Sequence, residues 1–118
     1  MNPKNPFESL VGEELNTVAF VMDYLEFHFN GPRIRSLTNP VVLVRGNEVR
    51  FPKPGSRDAL CSLIGQSVET IVLRDEQSLV ICFVSGSRLT IPLDSASYIG
   101  PEAMHWHPSV GDEGMLIW

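Results

Sequence analysis

His105 and His107 flank Trp106, and on a strand residues two apart point the same way, so this spacing can turn two imidazole donors toward one metal ion. Two donors do not complete a site. A Zn²⁺ centre needs a third protein ligand, and the donors on offer are Glu26 and His28, themselves two apart, or Glu102. Nothing in the order of residues makes those segments neighbours, and alternation around a core Trp produces the same spacing without any metal. The expectation is therefore two partly exposed histidines beside a buried Trp. A metal-dependent enzyme using His105 and His107, with Glu26 or His28 as third ligand, stands as an alternative.

Nucleophilic chemistry has less to work with. Cys61 falls inside a helical stretch rather than at a helix start, where the positive end of the helix dipole would lower its pKa. Val84-Ser85-Gly86-Ser87 reads as a hairpin turn and lacks the Gly-x-Ser-x-Gly setting of a serine nucleophile. No phosphate-cradling glycine loop occurs, and no cofactor is implied. The expectation is a protein without catalytic residues.

Charge is segregated along the chain. Residues 1–32 hold one cation against five anions, residues 33–57 six against one, and residues 58–118 two against eight. The basic block, Arg33, Arg35, Arg45, Arg50, Lys53 and Arg57, is a candidate anion site, with its last members around a helix start. Nucleic acid is not the expected ligand, because the net charge is −5 and no aromatic platform interleaves the cations.

The elements that must position these residues follow from periodicity. Asn5-Pro6-Phe7-Glu8 carries a cap, a Pro at the first helical position and a Glu three residues on, which predicts a short N-terminal helical turn stopped at Gly12. Period-two alternation predicts strands over about 15–21, 24–30 and 33–38. Val41–Arg45 and Glu48–Phe51 flank Gly46-Asn47, a tight-hairpin signature. Residues 57–64 form the one good helix, capped by Ser56, striped by Leu60, Leu63 and Ile64, and closed by a left-handed Gly65. Strands over 68–74, 79–84, 88–92 and 103–107 complete an α+β fold: a mainly antiparallel sheet of seven to nine short strands in meanders, one apolar side sealed by the helix.

At 118 residues, 43% hydrophobic and 19% charged, with nine Gly and nine Pro scattered, the chain reads as one globular domain rather than a disordered or collagen-like one. No apolar run approaches the length of a membrane span or a signal peptide, so a cytoplasmic protein is expected, with Cys61 and Cys82 as buried free thiols. Residues 108–114 read as a flexible linker. They lead to four apolar residues, Met115, Leu116, Ile117 and Trp118, expected to bury themselves on their own domain or in a partner.

Three stretches, Phe20 to Gly31, Arg57 to Gln66 and Gly100 to Trp106, make the chain similar to small bacterial α+β proteins that have no established activity. The resemblance is one of pattern and implies no cofactor and no catalytic residue. By size and acidity alone, the chain is also analogous to the immunity proteins of bacterial toxin systems. The expected function is a non-catalytic module that binds a protein partner or itself, the acidic residues 58–118 steering a basic partner toward the apolar tail. A structural homodimer closed by the tail or an edge strand is a further alternative.

Overall fold

The computed structural model describes residues 5–108 and 114–118. Ten strands form two five-stranded sheets, and every strand pairing is antiparallel. The first sheet has the order β1 (Thr17–Val21), β2 (Tyr24–His28), β3 (Arg33–Ser36), β9 (Met104–His107) and β10 (Leu116–Ile117). The second has the order β5 (Asn47–Arg50), β4 (Val41–Val44), β8 (Arg88–Pro92), β7 (Ser78–Phe83) and β6 (Val68–Arg74). Mostly antiparallel sheet with one short helix is thus the architecture, but a single sheet of seven to nine strands is not.

What seals the apolar side of each sheet is the other sheet. Leu25 and Phe27 of β2, Ile34 of β3 and Trp106 of β9 join Val42, Leu79, Ile81, Leu89 and Ile91 in one buried cluster. The alternation that predicted the strands also sorts their faces: in β2, Leu25 and Phe27 point inward while Tyr24, Glu26 and His28 point outward. Two apolar sheet faces turned toward each other satisfy their hydrophobic burial without a long covering helix.

The helix is accordingly smaller than its pattern suggests. α1 spans Ser56–Cys61, and the expected continuation to residue 64 is replaced by tighter turns in which the Leu63 and Ile64 amides donate to the carbonyls of Leu60 and Cys61. Leu60 and Leu63 are buried, but Ile64 is exposed, and so is Cys61, contrary to the buried thiol expected. Cys82 is half-buried on the outer side of β7. Ser56 is not the cap: Gly55 occupies that position at φ +87°, and the Ser56 hydroxyl is buried one residue further on. Gly65, at φ +90°, is left-handed as expected.

The β4–β5 hairpin forms one residue earlier than its Gly-Asn signature implies. Val44 pairs with Asn47, so the turn residues are Arg45 at φ +53° and Gly46 at φ +79°. Positive φ at both central positions gives a turn whose twist matches the strands, and that gain outweighs the cost of a left-handed Arg.

The N-terminal turn is a 3₁₀ turn over Glu8–Leu10, entered through Asn5, whose Oδ1 accepts from the Phe7 amide at 2.9 Å. The same segment covers the start of the β6 edge: the Gly12 amide donates to the Val68 carbonyl and the Val68 amide to that of Glu13, at 2.8 and 2.9 Å. At the other end, the apolar tail docks on its own chain. β10 pairs with β9, the Trp118 amide donates to the Met104 carbonyl at 2.8 Å, and the Trp118 ring lies 5.5 Å from that of Phe7. Of the expected linker only Pro108 and Gly114 fall among the described residues. No helix among the described residues is long and apolar enough to cross a membrane.

Candidate functional site: a charged sheet face and an aromatic groove

The residues singled out for metal chemistry converge, because β3 lies between β2 and β9. Register places Glu26, Arg35 and His105 in one row across three strands, and His28, Arg33 and His107 in the next. All six share the outer face of the first sheet, opposite the buried Leu25, Phe27, Ile34 and Trp106. Residue order leaves open whether these segments are neighbours, and the pairing of β3 with both β2 and β9 makes them so.

Convergence does not make a metal cage. The Arg35 guanidinium sits in the row between Glu26 and His105, and it pairs with Glu26 through Nε at 2.9 Å and Nη2 at 2.8 Å. His28 Nε2 meets the other oxygen of the same carboxylate at 2.9 Å. His105 Nε2 is 3.0 Å from Glu102 Oε1, and the His105 and His107 rings stand 6.3 Å apart. Among the described residues no group of three or more His, Cys, Asp or Glu side chains is arranged to hold a metal ion. The same contacts shift Glu26: burial by itself would raise its carboxyl, but hydrogen bonds and charge from His28 and Arg35 outweigh it and hold the group below its ordinary value. The face works as an ion-pair network that orients side chains. His107 is buried and not partly exposed as expected, while Trp106 is buried as expected.

The six candidate anion-binding cations divide between the two sheets. Arg33 and Arg35 are half-buried on the first sheet, and Arg35 is already committed to Glu26. Arg45, Arg50, Lys53 and Arg57 are exposed along the β5 edge and the start of α1. β3 and β5 belong to different sheets.

Arg57 does enter a site, one that sequence reasoning missed. A groove of about 640 Å³ runs across the strand ends of the first sheet, bounded by the β1–β2 turn, Phe51, α1 and the segment 99–102. Phe20 stacks on Phe51 with centroids 5.9 Å apart, and the Arg57 guanidinium lies 5.0 Å above Phe51. Tyr24, on the adjoining strand, is covered by Arg35 at 4.4 Å, which links the groove to the ion-pair network. Met22 at the turn tip is 96% exposed and Ile99 on the far wall 71%, with Phe20 and Val21 partly so. The signal was present in the sequence: Val21-Met22-Asp23-Tyr24 places two large apolar residues at a turn, where polar ones usually stand.

Three charged residues line this groove: Asp23 at the β1–β2 turn, and Arg57 and Glu102 at opposite ends. Arg57 lies beyond β1, where α1 packs, and Glu102 directly precedes β9, three strands across. Among the described residues Arg57 makes no ion pair, and the Glu102 carboxylate, bound to His105, keeps 41% of its side-chain surface exposed. Comparison with known proteins adds no relative to this picture: no family model, no curated protein and no solved structure matches the chain.

Proposed function

We propose that this protein is a non-catalytic binding module that takes a protein partner in the groove formed by the β1–β2 turn, Phe51, Arg57 and the segment 99–102. The observation carrying the reading is the cluster of exposed apolar side chains on the groove walls, Met22 and Ile99 foremost, around an aromatic stack. Large apolar groups held out in water in one place lower stability and solubility unless something covers them, which is why such patches mark interaction surfaces. The walls are firm enough to recognise a shape. Phe51 and Arg57 are anchored by β5 and α1, and Tyr24 by its contact with Arg35.

The apolar tail is a weaker candidate for the contact than it was from sequence. Trp118 and the β10 backbone are engaged by Phe7 and β9, leaving Leu116 and Ile117 half in solvent. The test is a selection of random displayed peptides on the wild-type protein, with the double variant Met22→Asp/Ile99→Asp as counter-target. Peptides that bind the wild type and lose about tenfold or more on the variant are expected. Failure to enrich any peptide, or enrichment indifferent to the two substitutions, refutes the groove as a binding site, provided both proteins melt alike.

A further inference from the structure

We infer that the partner seated in the groove is a second copy of this chain, related to the first by a two-fold axis. The inference deepens the groove reading and rests on it. A two-fold interface must be self-complementary: where one residue of the first copy meets a different residue of the second, the reverse contact forms as well. The groove has that property in shape and in charge.

In shape, it carries both halves of a knob-and-hole pair. Met22 projects from the turn tip almost wholly into solvent, and the space of about 640 Å³ beside it is walled by Phe20, Phe51 and Ile99. Met is unbranched and polarizable, and it favours contact with aromatic rings. Across a two-fold axis, the Met22 of each copy enters the other copy's groove.

In charge, the ends are opposite. The strand order β1-β2-β3-β9 sets Arg57 at one end and Glu102 at the other. Antiparallel apposition brings Arg57 of each copy to Glu102 of the other, forming two equivalent ion pairs on either side of Met22 and the aromatic stack. That is the arrangement of stable interfaces, with charge at the rim and large apolar groups in the middle. A parallel apposition sets like against like. The charges therefore select the antiparallel orientation as well as favouring association.

The other sheet edges do not compete on equal terms. Residues 12–15 pair with the chain at 65–68 where β6 begins and Asn5 donates to the Ile71 carbonyl further along it, β10 is two residues long, and β5 carries Glu48 and Arg50 between Arg45 and Pro52.

The decisive experiment measures mass by analytical ultracentrifugation from about 1 μM to about 1 mM, where dimers of modest affinity dissociate. The wild type is expected to be a dimer at the upper end, and Met22→Glu a monomer throughout. Arg57→Glu and Glu102→Lys, run separately, each juxtapose two like-charge pairs and are expected to weaken association about tenfold or more. An equimolar mixture of these two variants regains both attractive pairs in the heterodimer and is expected to associate like the wild type. Thermal melts of all variants control for folding, and Met22→Glu, at a fully exposed site, retains the fold even if Glu102→Lys disturbs His105.

A wild type that stays monomeric at every concentration overturns the inference. So does a dimer indifferent to Met22→Glu, which would use another surface, or a charge-reversed pair that fails to recover on mixing. Because the peptide selection of the preceding section needs no dimer, peptides captured by a monomeric wild type would leave the groove reading standing and remove only the second copy.

Discussion

Replacing Glu26 with Gln tests whether the charged face of the first sheet is an organised network or a set of solvated side chains. The carboxylate is 13% exposed and takes three close contacts: two from Arg35, at 2.8 and 2.9 Å, and one from His28 at 2.9 Å. Hydrogen bonds to a charged group contribute about 1.5–3 kcal/mol each where water is excluded. Here Arg35 keeps 26% and His28 35% of their side-chain surface, and Gln retains one acceptor oxygen, so the full sum is not lost. A net loss of about 2 kcal/mol follows, below the 3–5 kcal/mol range for breaking a wholly buried pair. For a chain of this length that lowers the melting temperature by roughly 8 °C. The pH dependence has a definite sign. Because the folded-state pKa lies below the ordinary 4.5, the advantage of wild type over Glu26→Gln is fully present above pH 4.5 and disappears as pH falls through the lowered folded value. Circular dichroism melts of both proteins from pH 3 to pH 8 measure the gap. A difference under about 0.5 kcal/mol at pH 7, the size of an ordinary surface pair, would refute the network, as would a gap that widens toward acid.

The remaining predictions concern backbone strain and thiol exposure. Arg45→Asn is expected to raise stability by about 0.5–1 kcal/mol in denaturant titration, because Arg45 holds φ +53° and Asn tolerates that region at lower cost; a loss would mean that the Arg side chain compensates for its own strain. With a thiol reagent in native buffer, Cys61 is expected to react rapidly and Cys82 at least about tenfold more slowly, since the first is exposed and the second half-buried in β7; equal rates of labelling would contradict the shortened helix.

The local elements were legible because they depend on neighbours in the chain. Alternation at Tyr24–His28 and Ser78–Phe83 fixes strand conformation and the inward face at once, since a one-residue shift would turn every side chain over. Even the local misses have local causes. Gly-Asn is a turn dipeptide and predicts Asn47 in the turn, whereas pairing of Val44 with Asn47 moves the turn back onto Arg45. Ile64 fits the apolar stripe and extends the predicted helix, although the chain has already tightened at Leu63. The candidate site was only half legible. Spacing singles out its histidines and Glu26, but their meeting needs β9, about seventy residues downstream, to pair with β3.

Residue order alone therefore determined which segments are extended, which faces they bury and where most turns fall, since these are set by steric and hydrophobic preferences within a few residues. Tertiary structure alone decided that the strands divide into two facing sheets, that Arg35 separates Glu26 from His105, and that Phe20, Phe51, Arg57 and Ile99 enclose a groove. The reason is that antiparallel pairing and apolar burial carry no address: any strand with a suitable face satisfies them, and the choice among partners is made by the packing of the whole core.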